Sequence, residues 1–190
     1  MSLKRVGFPA VTAFKISDFP GPSSLLALLA LGVPLGTPAV QAQGEPCSST
    51  EAHQFDFWVG EWEVRLSDGT VAGNNTIEKI LNGCVLRESY ATPSGYAGHS
   101  FNIFDASRRR WHQTWVDARG FLLILEGGFE GGAMVLEGET TSADGTVRQR
   151  IRWNQVDGNP DRVRQLWESS TDGGRSWTVA FDGLYVRKKE

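Results

Sequence analysis

The side chains best equipped for chemistry in this chain are His99, His112, Asp117 and Glu126, together with a set in which glutamine and tryptophan recur: Gln113 with Trp115, Gln149 with Trp153, and Gln165 with Trp167. Asp117, Glu126 or His112 could serve as a general acid or base, because a carboxyl or imidazole moves a proton once a reacting group is within hydrogen-bond reach. The amide–indole pairs suit a different task. Indole faces stack on planar or sugar-like molecules, and glutamine amides orient their polar edges. The same pairs also work as cross-strand packing partners, and both readings stand. Nucleophilic catalysis has no signature here: the chain contains no Gly-x-Ser-x-Gly, no His-Glu-x-x-His and no phosphate-binding glycine loop.

These residues lie on short segments of β-branched and aromatic residues punctuated by turn signals. Asp68-Gly69, Asp144-Gly145, Asp157-Gly158 and Asp172-Gly173 supply the positive φ angles that tight hairpins require. The pattern predicts strands at 61–67, 70–81, 85–91, 96–104 and 110–117, then at 121–127, 133–140, 146–154, 162–169 and 177–187. Helical period is confined to the N-terminal apolar run and a short turn at 52–59. Ten consecutive hairpin-linked strands leave unpaired edges unless the sheet closes on itself. The expected fold is therefore all-β: one antiparallel, up-and-down, closed barrel of about ten strands with a short helical turn before the first.

Registers follow from the turns. A tight turn at Asp144-Gly145 sets Glu137 opposite Arg152 and Glu139 opposite Arg150, an ion-paired outer wall. Gln149, Ile151 and Trp153 alternate with Arg148, Arg150 and Arg152 and so point inward. A tight turn near Ala106-Ser107 pairs Phe101 with His112 and His99 with Thr114, making the two histidines diagonal neighbours within reach of one small ligand. Tracked onward, their face shares a side with Leu123, Leu125, Leu136 and Trp153. The opposite face of the same strand carries Trp111, Gln113, Trp115 and Asp117, and either face could line the interior.

The N-terminus reads as an export signal over residues 1–42. Lys4, Arg5 and Lys15 form a basic start, 25–31 an apolar run too short to span a bilayer, and Val40-Gln41-Ala42 a small-residue cleavage site. A polar lead-in at 43–54 precedes a barrel domain at 55–190. Pro46 before Cys47 is wrong for lipid attachment. Residues 43–190 hold 16 basic and 21 acidic side chains, a balance that argues against nucleic acid or anionic lipid as partner. No membrane span is expected after signal removal. Cys47 and Cys84, an even count in an oxidising compartment, are expected to form a disulfide joining the lead-in to the second hairpin turn. Their spacing fits no zinc pattern, and no metal site is expected.

Two motifs carry resemblances. Ser170-Thr171-Asp172-Gly173-Gly174-Arg175-Ser176-Trp177 resembles the Asp-box hairpin of sialidases and other β proteins, with Ser176 in place of the usual Thr. It implies a turn device in which Asp172 binds backbone amides and Trp177 packs beneath. The second is Phe55-Asp56-Phe57-Trp58-Val59-Gly60-Glu61-Trp62, with Gly83-Cys84, 111–117, 125–128 and Asp182-Gly183-Leu184-Tyr185. From about Cys47 to Arg187 the chain resembles a family of uncharacterised bacterial exported proteins. That resemblance implies a lipocalin-like (calycin) barrel.

More distantly, Gly60-Glu61-Trp62 looks like the first-strand Gly-x-Trp of lipocalins, fatty-acid-binding proteins and nitrobindins. Those families set a basic residue of the last strand against the Trp, and Arg187 is the matching residue. The nitrobindin likeness implies that His99 or His112 could ligate a haem iron. The reading that follows is an exported barrel holding a small apolar or amphipathic molecule without transforming it, with His99, His112, Gln113, Trp115, Gln149, Trp153, Gln165 and Trp167 around the ligand. A barrel enzyme (cyclase, isomerase or hydrolase) and a haem-binding barrel are the alternatives.

Overall fold

A computed structural model describes residues 46–189. Its strands are β1 (Gly60–Arg65), β2 (Val71–Ile80), β3 (Val85–Ala91), β4 (Ala97–Asp105) and β5 (Arg110–Asp117). They continue as β6 (Leu122–Glu130), β7 (Ala133–Ser142), β8 (Gly145–Val156), β9 (Asn159–Ser170) and β10 (Thr178–Arg187). Each pairs antiparallel with its neighbour in sequence, and β1 pairs with β10, so the sheet is a closed up-and-down barrel. Closure leaves no edge strand open to another chain among the described residues. Two 3-10 turns, Thr50–His53 and Asp56–Trp58, precede β1. The signal expected at 1–42 lies outside the described residues. Among those described, no helix is long and apolar enough to cross a membrane.

The Phe-Asp-Phe-Trp run explains why one end of the barrel is filled. In a 3-10 turn, side chains three apart lie on one side, so Phe55 and Trp58 enter the barrel together and are both fully buried. Their rings stack at 4.9 Å, and Phe55 meets Trp111 and Trp153 edge-on at 5.6 and 5.2 Å. Burial of each such ring contributes roughly 1.5–3 kcal/mol. Asp56, between them, turns outward to Lys79 (2.5 Å) and His53 (2.9 Å). The Cys47–Cys84 disulfide ties the lead-in to the β2–β3 turn at this same end.

Trp62 and Arg187 meet where the ring closes. They are ladder partners, and the guanidinium carbon lies 4.1 Å from the indole centroid. Arg187 also donates to the carbonyls of Val59 (3.0 Å) and Pro160 (3.1 Å), and its Nε to Asp161 (3.0 Å). The first glycine of Gly-x-Trp then has a reason: a Cβ on Gly60 would sit 2.0 Å from an Arg187 nitrogen, and Gly60 holds φ +142°.

Inward-facing Gln149, Ile151 and Trp153 are all buried, as the alternation predicts. Two registers differ from expectation by two residues. Asp105 accepts bonds from Ser107 N (2.9 Å), Ser107 Oγ (2.6 Å) and Arg108 N (3.2 Å), which opens the β4–β5 connection to four residues. Phe101 therefore faces Thr114, and His112 faces Ile103. Ser142 Oγ accepts from Asp144 N at 3.2 Å, setting the β7–β8 turn one residue earlier. Glu137 then faces Arg150 and Glu139 faces Arg148, while Arg150 is ion-paired to Glu168 at 2.9 Å.

Candidate functional site

Which face of β5 points inward is decided by the β5–β6 turn. Asp117 accepts from Arg119 N (2.8 Å) and Phe121 N (3.0 Å), and the resulting register pairs Trp115 with Leu123 and Gln113 with Leu125. Trp111, Gln113 and Trp115 thus share the interior with Leu123, Leu125, Leu136 and Trp153. The side expected to carry the histidines is the outer one. A one-residue change in a turn inverts every side chain downstream, so turn spacing alone leaves both faces of β5 open; the observed register sets Gln113 and Trp115, and not the histidines, on the side of Leu123 and Leu125.

His99 is exposed on the outer wall, with Nδ1 3.2 Å from Ser89 Oγ. His112 is half-buried outside, 2.8 Å from Thr114 Oγ1 and 3.5 Å from Glu126. The two are four ladder positions apart, about 13 Å along the strand, and do not share a ligand site. His53 stands on a 3-10 turn. No histidine lines the barrel interior among the described residues, so the residues do not fit a lumenal haem held by imidazole.

Beyond the aromatic floor, the other half of the barrel holds a cavity of about 230 Å³, far more than the ~10–15 Å³ one water needs. It reaches the turn end at Thr92 and Tyr96. Five of the expected site residues line it: Gln113, Trp115, Trp153, Gln165 and Trp167. Gln149 stands behind them, accepting from Trp167 Nε1 at 2.7 Å and donating to Thr140 Oγ1 at 3.0 Å. Trp153, in the cavity wall, has an indole N–H with no protein partner among the described residues. Gly98 makes room for Trp115, since a Cβ there would lie 2.2 Å from the indole.

Glu88 is the cavity residue that sequence reasoning missed, with Tyr90, Tyr96, Phe181 and Tyr185 beside it. Its side chain is 5 % exposed. Asn75 Nδ2 donates to Oε1 at 2.7 Å, and Ser100 Oγ donates to Oε2 at 2.7 Å. The chain of bonds runs on in both directions. Asn75 Nδ2 also reaches Tyr185 Oη at 3.3 Å, and that phenol donates to Gln165 Oε1. On the other side Asn102 donates to Ser100 Oγ at 2.9 Å, and Gln113 donates to Asn102 Oδ1 at 2.7 Å. Burial pushes the Glu88 carboxyl up to about 7, against the opposing pull of the Ser100 and Asn75 bonds. Burial, and then the neighbouring Glu88 charge, hold Tyr185 well above the ordinary phenol value. A signal for Glu88 was present: it shares strand parity with Leu86 and Tyr90, so an inward β3 face carries a carboxyl.

The Asp-box turn sits at the cavity end of the barrel, outside the lumen. Asp172 accepts from Arg175 N (2.9 Å), Ser176 N (2.9 Å) and Ser176 Oγ (2.6 Å), and Trp177 Nε1 donates to Gly174 O at 3.1 Å. Those bonds, the Ser176 hydroxyl first, hold the Asp172 carboxyl far below the usual range. The turn uses its whole carboxylate on structure.

No protein-family model matches the chain, and no curated protein matches it. The functional reading rests on the site itself.

Proposed function

We propose that this protein is an exported binding protein whose barrel holds one small, mostly apolar molecule without transforming it. The observation that carries the reading is the half-filled lumen: an aromatic floor at one end and, above it, a cavity of about 230 Å³ walled by indoles, phenols and one carboxyl. Apolar walls with a few convergent polar groups are what small-molecule sites generally present. Export is supported by the Cys47–Cys84 bond, a feature of oxidising compartments, and by the N-terminal sequence.

Native mass spectrometry of the protein purified from its own cells tests it. The expected spectrum shows added mass that leaves on denaturation, with tryptophan fluorescence changing once the molecule is extracted. A bare polypeptide whose fluorescence ignores the neutral probe N-phenyl-1-naphthylamine would contradict it.

Glu88 favours one second reading, an isomerase. A carboxyl that titrates near 7 beside an apolar cavity can take and return a proton at neutral pH. That reading expects the protein to convert a β,γ-unsaturated cyclic ketone to its conjugated isomer, with the rate lost in Glu88→Gln. Equal rates in both proteins would exclude it.

A further inference from the structure

The cavity has one charge and nothing of opposite sign to meet it. Glu88 is buried, and no Lys, Arg or His lines the cavity among the described residues. Around it stand the faces and edges of Tyr90, Tyr96, Trp115, Trp153, Trp167 and Phe181. The groups nearest its carboxyl from the adjoining strands are Asn75 on β2, Tyr90 on β3, Ser100 on β4 and Tyr185 on β10. Of these only the two phenols titrate, and both are held above their ordinary value, Tyr90 first by burial and then by the Glu88 charge. All four are therefore uncharged near neutral pH.

We infer that the molecule this lumen takes is an organic cation, a protonated amine on an apolar body, with its ammonium at Glu88 and the aromatic side chains around it. The inference rests on the lumen being a binding site. Three physical points carry it. An ionised carboxyl buried without a counter-charge is costly, and a cation of the ligand supplies that charge. Each carboxyl oxygen accepts one protein hydrogen bond and keeps acceptor capacity for an ammonium. Aromatic faces attract cations through the ring quadrupole and do so more strongly away from water. An anionic ligand meets repulsion from the same carboxyl, and a neutral one leaves it protonated and unused.

A proton linkage follows from the raised titration of Glu88. Below about 7 the carboxyl holds its proton, so an entering ammonium must displace it. Affinity for an amine therefore rises as pH passes upward through that region, and binding at pH 6 releases close to one proton.

Calorimetric titration with two probes of matched shape, 4-phenylbutylamine and 4-phenylbutan-1-ol, tests this on wild-type protein and on Glu88→Gln. At pH 8 the amine is expected to bind wild type about tenfold or more tighter than the alcohol, and the substitution to abolish the preference while the alcohol still binds. Repeating the wild-type titration at pH 6 in two buffers of different ionisation enthalpy reads the proton directly, with no variant involved. Equal affinity for the two probes, a preference that survives Glu88→Gln, or no proton release overturns the cation assignment while leaving the lumen a binding site. Binding of neither probe overturns both.

Discussion

Arg187 and Trp62 face each other across the ladder that closes the barrel, with the guanidinium carbon 4.1 Å above the indole. The pair joins the last strand to the first, and three further bonds fix the guanidinium to Val59, Pro160 and Asp161. The pair lies at the filled end, and neither residue lines the cavity.

Replacing Arg187 with Ala removes the ring contact and leaves two carbonyls short of a donor. The expected loss is about 3 kcal/mol in urea unfolding. Arg187→Lys should recover less than half, because an ammonium cannot reproduce the planar fork. A loss below about 0.5 kcal/mol would deny the pair its closing role.

Glu88 predicts an unusual stability profile. Its folded-state value lies above its unfolded one, so the native protein binds more protons than the unfolded chain between about pH 4.5 and 7. Stability contributed by the neutral form is complete below that window and is lost as pH rises through it, by on the order of 3 kcal/mol. Asp105 and Asp172, whose carboxyls are held low by hydrogen bonds, act only at more acid pH. Chemical denaturation across pH 5 to 8 should show the decline in wild type and a flat profile in Glu88→Gln, with the variant the more stable at pH 8. Parallel profiles would rule out the buried, raised carboxyl.

The disulfide closes a loop with a sequence separation of 37. Chain entropy alone makes it worth about 3–4 kcal/mol. Changing both Cys47 and Cys84 to Ser should lower the unfolding free energy by that order and raise hydrogen exchange at the indoles of Trp58 and Trp111. Trp111 is included because its N–H bonds to Glu51 in the tethered lead-in at 3.2 Å.

Gly98 leaves the space in which Trp115 lies. Gly98→Ala forces the indole toward the cavity, at a cost of about 1–3 kcal/mol from overpacking. Binding of 4-phenylbutylamine should weaken by more than the stability change would suggest, as read by calorimetry at a temperature where the variant is folded. Unchanged affinity would place the ligand elsewhere.

Much of the barrel is legible in the sequence. Asp157-Gly158 forms the expected tight turn, both residues taking positive φ, and the Trp62–Arg187 contact is one that the resemblance of Gly60-Glu61-Trp62 to lipocalin-type first strands implied. The interior was harder. Asp105 and Asp117 bind backbone amides and set four-residue turns on either side of β5, and periodicity alone does not say how many residues such a carboxylate will gather. His99 and His112 drew attention as chemical groups but fall on the outer wall. Glu88 was overlooked because a glutamate among outward-reading charges looks solvated, although its parity with Leu86 and Tyr90 places it inside.

Ligand entering the lumen above the aromatic floor would be seen by the seven indole N–H resonances. Titration with 4-phenylbutylamine at pH 8, followed by two-dimensional ¹H–¹⁵N NMR, should shift Trp115, Trp153 and Trp167 strongly. Trp62 in the floor and Trp177 on the Asp-box turn should stay where they are. Shifts confined to Trp177, or none at the three cavity indoles, would place the ligand outside the lumen.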